Sequence, residues 1–416
     1  MTNYFTFIRA NFPLLSFGFL TVFWGNFGQS FFIAWFGAEI QSSLGLSASR
    51  YGFVYSSATL LSALLVVWLG ALIDRVSVRS YAIFVSLGLA LASFLLTQAT
   101  GLVSLLLAFI LLRLFGQALL PHTGITTMTR CFENGRGKAV SIVMTGVPLG
   151  EIILPLLAVA IISYAGWQSV YLLISLLTLL VLLPAVWFLG GKIQDGPHTQ
   201  GANTGAVASG KGPGRRIVLR DIRYWLVLPA LMANPFLITG IFIHQNFLLA
   251  GKDWTVAWLA SCFIVYGIVH WISSLLSGSL VDRFTAVKML PFMQLPMLLA
   301  LLLIAFVPGW WTAPAIMSLL GMSSGSAPPV NSSLWVEIYG TGSLGSIRAM
   351  NMAIMVFATA VSPVLFGYAI DGGMTLTGLF AYSALYVALA AVLLFFSYPL
   401  HPHPAGQMNP VRKQQK

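Results

Sequence analysis

Apolar stretches of about 20 residues recur along the whole chain, each long enough to cross a hydrocarbon core of roughly 30 Å as a helix. A bilayer accepts only segments that satisfy their own backbone polar groups, so this recurrence leaves an all-α integral membrane protein as the fold class. The stretches fall at 14–38, 50–72, 80–98, 102–126, 138–163 and 167–190, then at 222–248, 256–279, 289–307, 311–335, 348–369 and 375–397. They predict twelve transmembrane helices in two six-helix bundles, 1–190 and 222–400, joined by a linker over 191–221 and followed by a tail over 401–416. The linker "GGKIQDGPHTQGANTGAVASGKGPGRR" has few large apolar residues and ends in a basic cluster, as a flexible cytoplasmic connection does. The tail "HPHPAGQMNPVRKQQK" is polar, and its His401 and His403 are read as solvated rather than metal-binding.

Only 7% of the 416 residues are charged, yet the net charge is +11. Its placement excludes nucleic acid as the partner. With these spans, 18 of the 21 Lys and Arg fall on one side of the alternation, Arg50 and Lys252 fall on the other, and Arg113 lies inside a span. The positive-inside rule then puts both termini and the linker in the cytoplasm of a multi-pass protein of the inner (cell) membrane. Two cysteines, Cys131 and Cys262, make no disulfide framework, and the start of the chain lacks a small-residue cleavage site, so the first helix is expected to stay.

The chain repeats itself at an offset of 208 residues. "GALIDRVSVR" at 70–79 returns as "GSLVDRFTAVK" from Gly278, and Asn26, Pro121 and Pro155 have counterparts in Asn234, Pro329 and Pro363. Each copy has an even number of spans, so the copies share one orientation and are related by a pseudo-symmetry axis along the membrane normal. With Gly70, Asp74, Arg75 and Arg79 between the second and third spans, and Gly278, Asp282 and Arg283 between the eighth and ninth, the sequence resembles the major facilitator superfamily (MFS) of secondary transporters. Ser77 and Thr285 stand where that family often has glycine. "GVPLGEIILP" and "GTGSLGSIRAM" are more loosely similar to monocarboxylate-transporter-like members, although the eighth span carries His270 rather than an arginine. The resemblance implies a conformational latch, with Asp74 beside a neighbouring helix N-terminus and Arg75 pairing across the cytoplasmic seam, and with Asp282 and Arg283 in the equivalent places.

A charge near the bilayer centre costs on the order of 2.5–3.5 kcal/mol, so each one is a functional candidate. Arg113 lies roughly 16 Å into the fourth span and Glu151 roughly 20 Å from the opposite face in the fifth, at overlapping depths. An Arg113–Glu151 ion pair is therefore expected, either as fixed neutralisation or as an anion site whose proton-sensitive partner is Glu151. Gln117, one turn after Arg113, faces the same cavity, and "WGNFGQSFF" supplies Trp24, Asn26 and Gln29 as an aromatic and polar lining. His270 is a second proton-coupling candidate and a possible contact to substrate. Asn234-Pro235 and "SSGSAPPVNSS" mark kinked or irregular helices that suit gating. Glu39, Glu337 and Asp371, at helix ends, are read as solvated.

These features make a secondary transporter of a small organic solute, an anion such as a carboxylate, working by alternating access with proton coupling. The alternatives are proton-linked efflux of amphipathic or cationic compounds and a non-transporting receptor with the same fold. No Walker loop, catalytic constellation, metal site or cofactor motif stands out, so no enzyme is expected, and a monomer in the bilayer is.

Overall fold

The computed structural model describes residues 4–132, 135–193, 215–340 and 344–398. Most of the expected linker and the whole tail, with His401 and His403, lie outside them. The described residues are helical throughout their regular elements. We number the main helices α1 (12–44), α2 (Ala48–Ala71), α3 (Val78–Thr97), α4 (Leu102–Cys131), α5 (Arg136–Ala165), α6 (Trp167–Gly190), α7 (Ile222–Ile243), α8 (Val256–Phe284), α9 (Leu295–Phe306), α10 (Thr312–Tyr339), α11 (Leu344–Asp371) and α12 (Leu376–Phe395).

Nine of these are long and apolar enough to cross a membrane, and up to ten if the bent pair Tyr4–Ala10 and Phe12–Gly28 counts as one. The remaining segments differ for local reasons. α1 is broken after Gly28, where Gln29 takes an extended conformation (φ −75°, ψ 152°) before the helix resumes. α9 is short and follows two helical fragments, Ala286–Met289 and Phe292–Gln294. α10 is 28 residues long, but its Ser, Gly and Pro dilute its apolarity.

The repeat read in the sequence is visible in the helix boundaries. Ala48 and Val256, Val78 and Ala286, and Arg136 and Leu344 each open a helix 208 positions apart. The caps partly repeat as well: the Ser47 and Thr255 hydroxyls each accept a backbone N–H of the turn they open. At the next pair the copies diverge. Ser77 caps α3 with its own hydroxyl, whereas Thr285 adopts φ 74°, ψ 151°, and the freed Ala286 and Val287 N–H groups donate to Glu337 at 2.7 and 3.2 Å.

The two bundles meet mainly along α2 with α11 and α5 with α8. Glycines permit the approach, as small residues do between membrane helices. A Cβ on Gly52 would run into the Pro363 carbonyl, one on Gly367 would stand 2.6 Å from the Ala48 oxygen, and one on Gly267 would stand 3.0 Å from the Pro148 oxygen. At the face opposite the termini, Asp371 accepts hydrogen bonds from Ala48 N (3.1 Å) and Ser49 N (2.9 Å), so a carboxylate of one bundle caps the α2 N-terminus of the other. Asp371 is exposed, as expected of a solvated helix end, and also makes this cross-bundle contact; Glu337, exposed as well, also has backbone partners. Lys252, an exception to the charge bias, donates to carbonyls at the end of α9 and just past it, Leu303 O at 3.1 Å and Val307 O at 2.6 Å, and burial pulls its ammonium below the ordinary lysine value.

The repeated charged turns do not join the bundles in this conformation. Asp74 pairs with Arg130 at the end of α4, in its own bundle, and Arg130 also donates to Ile73 O at 3.1 Å. Arg79 lies over the Trp187 ring of α6, with its guanidinium carbon 3.8 Å from the centroid, and His122 meets the Gly70 carbonyl at 3.3 Å. Among the described residues Arg75 and Asp282 form no ion pair, and Arg283 lies over its neighbour Phe284. The expected partner of Arg75 across the seam is missing because the bundles are joined at the midplane and the far face, not at the face that carries these turns.

Candidate functional site

At mid-depth the two bundles are linked by a buried hydrogen bond. Glu151 Oε2 on α5 and His270 Nδ1 on α8 are 2.7 Å apart, with the Glu151 side chain only 5% exposed. Three features hold the imidazole in place. Gly321 and Gly325 on α10 let that helix pack against the α8 backbone at Tyr266 and His270. Tyr266, one turn before His270, contacts its ring at 5.8 Å between centroids and donates to Ser324 at 3.1 Å. The "SSGSAPPVNSS" stretch read as irregular thus provides the close approach and the hydroxyl that support the histidine.

This pair replaces the expected Arg113–Glu151 ion pair. α4 winds as a π-helix over Leu112–Leu119, a local widening in which each backbone bond spans five residues. Arg113 stands at the start of this segment. Its guanidinium carbon instead sits 4.9 Å from the Tyr55 ring centroid, a cation–π contact with α2. Arg113 is 3% exposed, and its Nε and Nη1 have no hydrogen-bond partner in the protein. Among the described residues it forms no ion pair.

The other expected lining residues divide. Gln29, at the break in α1, and Gln117, in the π-wound segment, are half-buried. Gly28 packs so closely on that segment that a Cβ there would stand 2.9 Å from Gly116 Cα. Trp24 is buried edge-on to Phe23 and Phe27, with its indole N–H unpartnered. Asn26 has a packing role: it donates to Phe23 O at 3.0 Å and to Gly146 O at 2.9 Å, stitching α1 to α5 over Gly150. Tyr51, Tyr55 and Tyr171 are fully buried, Tyr55 beneath Arg113, and the sequence does not single them out; the i, i+4 spacing of Tyr51 and Tyr55 beside Ser56 is the available signal. No group of His, Cys, Asp and Glu among the described residues can hold a metal ion.

Comparison with known proteins places this architecture. A profile of the Major Facilitator Superfamily matches residues 15–268 and 248–416. The chain is 23% identical over 346 residues to "Multidrug resistance protein MdtG" of Salmonella arizonae, covering 83% of this chain and 82% of that protein, and is equally similar to its namesake in Citrobacter koseri. Two solved structures of a bacterial homologue of the human lysosomal transporter Spinster share the fold, with TM-scores of 0.67 and 0.65 at 13% and 15% identity; they cover 94% and 92% of this chain and 97% of each of theirs. With its two helical bundles and its matches along nearly the whole length, the chain is a membrane transporter, not an enzyme, and belongs to the Major Facilitator Superfamily.

Proposed function

We propose that this transporter moves a small organic anion, held by Arg113, and couples the movement to protonation of the Glu151–His270 pair. One observation carries the reading: a buried guanidinium has two N–H-bearing atoms without a protein partner, while the carboxylate expected to neutralise it is engaged by a histidine of the other bundle. A buried cation without a counterion is costly, and a carboxylate ligand that accepts from the guanidinium removes that cost. The positive-inside rule puts the face with the termini in the cytoplasm, which makes the Asp371 contact an outer closure. The bilayer and a monomeric protein are then sufficient for transport, with protons and the anion as partners.

The pair supplies a proton-dependent link between the bundles. With one shared proton, carboxylate and imidazole form a strong hydrogen bond; with two, a neutral carboxyl faces an imidazolium and the attraction falls. Tyr266 is the other titratable group against the pair, and its hydroxyl is donated to Ser324. Acidification therefore loosens the midplane contact. A latch at Asp74, Arg75, Asp282 and Arg283 belongs, in this reading, to the opposite conformation, closed towards the cytoplasm.

The experiment is uptake of labelled lactate, succinate and malate into proteoliposomes with an imposed pH gradient. Uptake of at least one anion by the wild type, lost in Arg113→Gln, supports the reading; anion uptake unchanged in Arg113→Gln contradicts it. The names of the relatives favour a second reading, proton-linked efflux of amphipathic compounds. Dye extrusion from cells without anion uptake would select it.

A further inference from the structure

We infer that Tyr51, Tyr55 and Tyr171 form, with Arg113, a subsite for the second polar end of a two-ended organic anion, a dicarboxylate or a hydroxycarboxylate. This rests on the anion reading above and adds which anions are taken. Buried tyrosines ordinarily find a partner for the hydroxyl. Elsewhere in this protein they do: Tyr81 donates to Leu69 O at 3.0 Å, Tyr224 to Asn351 at 3.0 Å and Tyr266 to Ser324 at 3.1 Å. Tyr51, Tyr55 and Tyr171 are each 0% exposed, and none of their hydroxyls has a protein partner. Ser30 lies beside the Tyr55 hydroxyl but outside hydrogen-bond geometry.

These tyrosines belong to one buried cluster, in which Arg113 lies over Tyr55. Tyr51 and Tyr55 are one turn apart on α2, and both rings stand edge-on to Phe109 at 6.0 Å. Phe109 precedes Arg113 by four residues on α4, and the Arg113 guanidinium covers the Tyr55 ring. Tyr171, on α6, packs on Phe36 at 4.6 Å and Phe32 at 6.1 Å, within electrostatic reach of both Tyr51 and Tyr55. All the unpartnered groups can donate. A carboxylate can accept from the Arg113 guanidinium, and the unpartnered hydroxyls call for a second acceptor. A monocarboxylate without a second polar group leaves them unpaired, which is a strong basis for discrimination.

The test uses the full chain in detergent, with thermal unfolding followed in acetate, succinate and malate, for the wild type, Arg113→Gln, and Tyr51→Phe, Tyr55→Phe and Tyr171→Phe singly and together. Succinate or malate is expected to raise the wild-type Tm well beyond acetate. Because the hydroxyls have no protein partner, the ligand-free Tm of the phenylalanine variants should equal or exceed the wild-type value, while the Kd for succinate or malate rises about tenfold or more. A lowered ligand-free Tm, equal stabilisation by acetate, or wild-type affinity in the triple variant overturns the subsite. If stabilisation is lost in Arg113→Gln and kept in the tyrosine variants, the subsite fails and the anion site stands. If none of these anions acts on the wild type, the anion reading itself fails.

Discussion

Thr285 shows how much a single backbone torsion can reveal. At φ 74°, ψ 151° it occupies a region that is nearly exclusive to glycine, with a strain of order 1–3 kcal/mol for a β-branched residue. Its 208-offset partner, Ser77, has an ordinary φ of −60°. Thr285→Gly is therefore expected to stabilise the protein by about 1 kcal/mol or more, read as a higher Tm of the solubilised chain with transport intact; an unchanged or lower Tm would show that no strain is held there. The sequence marks both positions as sites where relatives use glycine, but not which one needs it. Arg113 is similar: its burial was legible from its place in an apolar run, while its stacking on Tyr55, a residue of another helix, leaves no periodic signal in the residues. Arg113→Lys keeps the charge but loses the planar fork and the stack, so anion transport should show a KM raised about tenfold at near-native expression. A native KM in that variant would mean that charge alone is read.

Between elements, the decisive contact is α2 against α11. Asp371 accepts two backbone N–H bonds across the bundles, and such charge-assisted bonds are worth about 1.5–3 kcal/mol when partly shielded, less where solvent reaches them. Asp371→Asn should shift the population towards a conformation open at this face. Ser49→Cys on that background is expected to react several-fold faster with a membrane-impermeant maleimide in intact cells than Ser49→Cys alone. Equal rates would remove the closure role. Most helices were legible as apolar runs, and their starts were marked by Ser47, Ser77, Thr255 and Thr375, whose hydroxyls cap them. The breaks in α1 and before α9 were not read, although Asn26, Gly28 and Gln29 mark the first and Pro291, Gln294 and Pro296 the second, because the apolar residues on either side make each stretch look like one continuous span. Asp371 is exposed, as read, but its contact with the other bundle was not legible: a helix-end carboxylate looks the same in sequence whether or not it also meets another helix.

For the whole molecule, the duplication at 208 residues was read from one charged turn and a few matched residues, and the helix boundaries repeat it. Sequence could not show which face is closed, since both conformations use the same residues, nor that Glu151 turns to His270 instead of Arg113, a choice made between bundles far apart in the chain. The proposed function rests on that choice: in it the anion and the proton take different sites, linked through the seam where the bundles meet. The most direct measurement compares gradient-driven accumulation with exchange of labelled succinate in proteoliposomes of wild type and Glu151→Gln. Glutamine resembles a carboxyl that never gives up its proton, so Glu151→Gln should exchange succinate at close to the wild-type rate and fail to accumulate it when a proton gradient is imposed. Accumulation by Glu151→Gln with the pH dependence of the wild type would contradict the account.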